Sequence, residues 1–222
     1  MSSAKLLPAA VSVTLATIAP RVAHAQQAAT FPGSDRSIVT IDGLAGIVHQ
    51  RSKVGNDDTQ TITAVGTPAT TGAFYGFLMP GVPVVTRPGF HYLVTDYLSV
   101  GSALYYSDSD NFGSVILLAP RVGLLFPVGA SSAFWLRAGL TYQRWKVSLF
   151  GETTVNTALP GVEALFVLSP VEHFAFTIGG MGEISVYGKA KTQVSFFGNS
   201  TSGEEDVSTS QLGLTFGTLI SF

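Results

Sequence analysis

Cysteine is absent from the 222 residues. That excludes a disulfide framework, a thiolate metal site and a cysteine nucleophile. Charge is scarce as well. Asp, Glu, Lys and Arg make up 12% of the chain, against about 25% in ordinary soluble domains. Twelve basic and fourteen acidic residues leave a net charge of −2, with no basic run, so no nucleic-acid partner is expected. Long hydrophobic runs are also missing. A membrane-spanning helix needs about 20 consecutive apolar residues. The most apolar stretch, Val115 to Leu136, is broken by Pro120, Arg121, Gly123, Pro127 and Gly129. The next, Phe74 to Val85, is short and holds Pro80, Gly81 and Pro83.

What is present is apolar: 46% of residues are hydrophobic, 11% are aromatic, and there are 24 glycines. This is too hydrophobic for a disordered chain, and it suggests lipid as part of the solvent. An apolar chain without a spanning helix leaves a closed barrel, because only helices and closed barrels satisfy every backbone group in lipid. The amino terminus carries Lys5, a small apolar stretch from Leu6 to Ala19, and the A-x-A pattern Ala23-His24-Ala25 before Gln26. That is the pattern of a secretory signal peptide. The expected organisation is a signal peptide over 1–25, a periplasmic segment over 26–36 and a barrel over 37–222.

The strand periodicity is clearest at the carboxyl end. Leu212, Leu214, Phe216, Thr218, Ile220 and Phe222 share one face, and Gly213, Thr215, Gly217, Leu219 and Ser221 share the other. A bulky apolar face backed by a small or polar one fits a strand with lipid outside and a lumen inside. Strands are predicted near 37–51, 82–94, 97–107, 113–126, 133–146, 159–168, 174–188 and 208–222. The turns at Thr95-Asp96, 127–132 and 169–173 are tight, whereas 52–81, 147–158 and 189–207 are longer. The fold class is therefore all-β: an eight-stranded antiparallel transmembrane up-and-down β-barrel, with both termini on the short-turn side. Ile62–Val65 and Thr192–Phe197 are further strand candidates above the membrane, and they leave a count of ten open. A short repeat, Arg87-Pro-Gly-Phe90, Pro120-Arg-Val-Gly123 and Pro160-Gly-Val-Glu163, leads into the three tight turns.

The signal pattern, together with the closing Gln211-Leu-Gly-Leu-Thr-Phe-Gly-Thr-Leu-Ile-Ser-Phe222, resembles the small outer-membrane β-barrels of the OmpA/OmpX type in Gram-negative bacteria. The resemblance covers 37–222 as architecture. It implies an outer-membrane location, outer-membrane lipid and lipopolysaccharide as surroundings, and the barrel-assembly machinery as a partner. That machinery would read Phe216, Ile220 and Phe222 as its assembly signal.

Setting the bulky residues outward on each strand turns Asp42, Arg87, His91, Arg121, Arg137, Glu163 and Glu183 inward. On the first strand this choice places Ile41, Gly43, Ala45 and Ile47 outward. A basic residue left on lipid would cost about 2–4 kcal/mol at the midplane, and an eight-stranded barrel is just wide enough for side chains to fill. Three arginines and three carboxylates balance, as a structural network requires. A gated ion path or an acid/base pair is the competing functional reading. Aromatic girdles are expected from Tyr92, Tyr97, Phe126, Phe134, Phe166, Phe174 and Phe222 below, and from Tyr106, Phe112, Tyr142, Trp145, Phe150 and Tyr187 above.

Lipid A deacylases of this size resemble a pattern with His and Ser two apart on one strand. His49, His91 and His173 have no Ser at that spacing, and no G-x-S-x-G, H-E-x-x-H or phosphate loop occurs. The acidic clusters at 56–58, 108–110 and 204–206 lack the calcium-loop pattern and read as solvated faces. No catalytic residue, metal or cofactor is expected. The expected role is structural or interactive, through loops. A lipid-modifying enzyme, with His49 as the one histidine placed for surface lipid chemistry, and a narrow channel are the alternatives.

Overall fold

Period-2 patterning with Val, Ile, Phe and Tyr on one face builds a single antiparallel sheet that closes on itself. The computed structural model describes residues 35–55, 59–66, 86–109, 113–147, 152–196 and 199–222. The proposed signal peptide and most of the proposed periplasmic segment, and with them the girdle candidates Phe112 and Phe150, lie outside these. The elements are β1 (Ser37–Val54), β2 (Gln60–Gly66), β3 (Arg87–Leu93), β4 (Leu98–Ser109), β5 (Gly113–Gly129), β6 (Ser132–Val147), β7 (Glu152–Val171), β8 (Phe174–Ile184), β9 (Tyr187–Phe196) and β10 (Asn199–Ser221).

The ring runs β1-β3-β4-β5-β6-β7-β8-β10 and is shut by the pairing of β10 with β1. That seam extends from Ile38 opposite Ser221 to Val54 opposite Val207. Eight strands thus make the wall, and the two further elements continue strands already in it. β9 pairs with β7 and β10 directly above β8. Tyr187 stands opposite Ala158 and Glu183 opposite Gly161, so one extra residue at Ser185-Val186 makes a bulge in a single ascending strand. β2 pairs with β1 over 46–52 and β3 pairs with β1 over 37–42. Both lie on the edge of β1 that β10 leaves free, stacked one above the other. The ten-strand count is accordingly a matter of interruptions, and the barrel has eight staves.

Two differences from the predicted strands have physical reasons. The segment 189–207, read as a longer connection with a strand candidate at Thr192–Phe197, is paired strand: β9 and β10 run from Asp206 opposite Lys189 to Asn199 opposite Phe196. Its polar sequence hides the alternation, because both faces above the membrane meet water. Gly43 is buried, not outward. Between Ile41 and Ala45 the register with β10 shifts, so β1 bulges there. Gly43 sits at φ 73°, a conformation that glycine adopts without a Cβ penalty.

The outside is a belt of exposed apolar side chains, among them Phe90, Leu104, Leu124, Phe134, Ile178 and Leu214. Aromatics flank it. Tyr92, Tyr97, Phe126, Phe134 and Phe222 are exposed near the short turns, and Tyr106, Tyr142 and Tyr187 on the opposite side, as interfacial girdles are placed. Trp145 departs from that scheme. It is 5% exposed and points into the lumen, packed with Val155, Ala190 and Val207. Its inward phase follows from Arg137 on the same strand, eight residues earlier.

Candidate functional site

The inward phases of six strands bring the mid-strand charges into one layer across the lumen. Asp42, Arg87, Arg121, Arg137, Glu163 and Glu183 are all 7% exposed or less. Glu163 is the hub. Its Oε1 accepts from Arg121 Nε at 3.0 Å and lies 3.5 Å from an Arg87 terminal nitrogen. Its other oxygen meets Arg137. Arg137 reaches Asp42 Oδ2 at 3.0 Å. Glu183 accepts from the Thr141 hydroxyl at 2.7 Å and from the Gln211 amide, and it stands 3.5–3.6 Å from Arg121 and Arg87. Each carboxylate thus faces at least one guanidinium, and buried charges are tolerated only when paired in this way.

His91 lies in the same interior at 1% exposure, but it joins no ion pair among the described residues. Its ring meets Trp135 edge-on at 4.8 Å, and the Arg137 guanidinium sits over the same indole at 4.8 Å. Trp135 Nε1 donates to Ser99 Oγ at 3.1 Å. Small residues opposite make the room: a Cβ at Gly101 would come within 2.6 Å of the His91 ring. Sequence reasoning singled out the seven charged or titratable residues and missed Ser99, Trp135, Thr141, Gln211 and Met181, whose Sδ lies 3.9 Å from an Arg87 terminal nitrogen. Trp135, Thr141, Gln143 and Trp145 share the phase of Arg137 along β6, so the signal was in the alternation.

The ion layer is sandwiched. Below it, Ile38, Leu93, Leu125, Trp135, Leu165 and Leu219 form an apolar plug, each 2% exposed or less. Above it lie buried Gln50, Gln143, Thr157 and Thr209, and above these the Trp145 cluster. The two remaining candidate histidines are elsewhere. His49 is on the outer face, with Nδ1 2.9 Å from Thr63 Oγ1. His173 occupies the β7–β8 turn at φ 66°. Its Nδ1 is 2.7 Å from Asp35 Oδ2, and the same oxygen accepts from Ser221 Oγ at 2.6 Å. This contact ties the chain just before β1 to the last strand. Of the proposed assembly signal, Phe216, Ile220 and Phe222 all project outward from β10. Phe222 pairs through its backbone with Ser37.

No protein-family model matches the sequence, and no curated protein matches it. The solved structures similar to it include bacterial surface and outer-membrane proteins. Neisserial surface protein A is 12% identical, with 84% of this chain and 97% of that one covered at a TM-score of 0.45. OprG from Pseudomonas aeruginosa is 11% identical over 85% and 96%, also at 0.45. The N-terminal β-barrel domain of OprF from the same organism is 10% identical over 82% and 98%, at 0.40. The fold of this chain, read from its own pairings, is a small membrane-type β-barrel with a buried salt-bridge network.

Two predictions come from this geometry. Glu163→Ala removes the anion shared by three arginines and should cost about 3–5 kcal/mol, the range for breaking a buried pair on one side. Reversible urea unfolding of detergent-folded protein reads this as a lower midpoint, and an unchanged midpoint would show that the network adds nothing. At the rim, the hydrogen bond to Asp35 raises the His173 pKa above the ordinary histidine value of 6.5. The contribution is therefore full below about pH 6.5 and fades as pH rises through the raised folded value. Wild-type stability should drop as pH rises above about 6.5 relative to His173→Ala, and parallel pH profiles for the two proteins would refute this.

Proposed function

We propose that this chain is an integral outer-membrane barrel with a closed, salt-bridged lumen and no catalytic activity. It would act in envelope structure or in surface interaction through the parts that rise above the membrane. The observation that carries this reading is the stacking inside the barrel. An apolar plug, a balanced ion layer and an apolar cap occupy the same axis, and a continuous water path would have to cross all three. The charges fix the packing of the lumen and leave no member free for proton transfer to a substrate.

Chemistry available to a partner then lies outside. Above the apolar belt, β9 and β10 present Lys189 paired with Asp206 at 2.7 Å and Lys191 paired with Glu204 at 3.1 Å. The Lys191 bond holds the Glu204 carboxyl below its usual range. Loops and rims carried on rigid scaffolds are where binding residues concentrate. Export through the Ala23-His24-Ala25 signal and recognition of Phe216, Ile220 and Phe222 by the barrel-assembly machinery belong to the same reading, as does contact with outer-membrane lipid and lipopolysaccharide. His49 offers little to the enzyme alternative. Its side-chain hydrogen-bond partner is the Thr63 hydroxyl, and neither Ser210, which lines the same groove, nor any carboxylate bonds to it among the described residues.

Planar-bilayer recordings of the purified protein should show no discrete conductance steps; reproducible steps would overturn the closed lumen. Lipid A incubated with the folded protein should return with unchanged mass, and loss or gain of an acyl chain would establish the enzyme instead.

A further inference from the structure

The outer face of the barrel is not uniformly bulky. On β8, two successive outward positions are Gly180 and Gly182, and beside them lie Ala164 on β7 and Ala138 on β6. The register sets Val162 opposite both Gly182 and Ala138, and Leu212 opposite Gly182. The result is a depression in the lipid-facing wall. Its upper part holds about 690 Å³ and its lower part about 590 Å³, and the two share Ala138, Val162, Gly182 and Leu212.

The fold does not require these glycines. Neither has a positive φ, and a Cβ would meet nothing nearer than 3.8 Å at Gly180 or 3.7 Å at Gly182. Gly101 in the lumen is the contrast, since a Cβ there runs into His91. Side chains could fill this groove without disturbing the chain, so its emptiness is a property of the surface offered to the surroundings.

The groove has a polar end. His49 and Ser210 line its upper part. Arg51 stands directly opposite Ser210 across the β1–β10 seam, where facing side chains lie within about 5.5 Å at Cβ. On β1 the outward residues change from Val39, Ile41, Ala45 and Ile47 to His49, Arg51 and Lys53. This end therefore lies at the boundary between the apolar belt and water, on the side away from the termini. Arg51 and Lys53 make no ion pair among the described residues. His49 Nδ1 lies 2.9 Å from Thr63 Oγ1, and in the tautomer in which Nδ1 accepts from that hydroxyl, Nε2 is a donor.

We propose that this groove is a lipid site for a phosphorylated, multiply acylated glycolipid of the outer leaflet. One acyl chain lies over Gly180 and Gly182, and a phosphate is held by Arg51 and His49. The apolar floor matches the chain, and the unpaired Arg51 guanidinium at its water-side end, with the His49 ring beside it, matches the phosphate. A second copy of this protein fits less well. A two-fold contact places the same patch on both partners, which brings the Arg51–Lys53 pairs of the two copies toward each other. The inference depends on the membrane setting of the barrel and not on what the parts above the membrane bind.

The test uses the full folded protein in detergent with bis-phosphorylated lipid A as the probe, read by native mass spectrometry. Wild type should retain one lipid A in preference to phosphatidylethanolamine. Gly182→Leu, which fills the groove from outside, should weaken retention about tenfold. Arg51→Gln should weaken it about fivefold, and that second effect should vanish with dephosphorylated lipid A. Both variants keep every lumen contact, and a heat-dependent shift in gel mobility verifies that they fold. Equal retention by wild type and both variants would overturn the site, as would no retention by wild type. A dimer that Gly182→Leu dissociates, with lipid retention unchanged, would overturn it in favour of self-association.

Discussion

The constraint on which everything else rests is that backbone N–H and C=O groups find no partner in hydrocarbon. An open sheet would leave two unpaired edges in lipid, and this chain removes both by pairing its first strand with its last over nearly the whole length of β1. Once the sheet is closed, strand alternation leaves only two destinations for a side chain. Odd and even positions go to lipid or to a lumen narrow enough to be filled by side chains. The scarcity of charge, the bulky exterior and the buried ions all follow from that partition.

Closure explains why so much was legible in the sequence. Bulky residues had to face out, and this alone turned Asp42, Arg87, Arg121, Arg137, Glu163 and Glu183 inward, where the structure joins them in one network. The final strand was plain because its two faces differ in size at every step. The parts that escaped are those where this contrast fails. Polar strands above the membrane meet water on both faces, so β9 showed only as the strand candidate Thr192–Phe197, and the upper half of β10 carried no period. The bulge at Gly43 depends on how β1 fits β10, which one strand's pattern does not encode. Trp145 was assigned to a girdle from its type and height, although its phase along β6 pointed inward. Which cation meets which anion depends on strand stagger around the ring, and hence on long-range geometry.

The lumen and the outer wall divide the work. Inside, layers of opposite character are stacked along one axis. Outside, most of the belt is smooth and bulky, but one sector thins to glycine and alanine and ends beneath His49 and Arg51. Buried network and open groove share strands: Arg137 and Glu163 face in from β6 and β7, and Ala138 and Val162, one residue away on each, face out. A substitution on one side of the wall therefore bears on backbone that supports the other.

The ion layer also acts as a register gauge. Hydrophobic alternation repeats every two residues, so a closing seam that slips by two keeps every side chain on its proper face and escapes any penalty from the apolar pattern. The same slip displaces Asp42 and Arg87, carried near one side of the seam, by up to about 7 Å relative to Glu163 and Glu183 on the other. Contacts now near 3.0–3.6 Å would open, leaving buried charges without partners. The charges thereby distinguish the correct closure from near-copies of it that the hydrophobic code reads as equivalent.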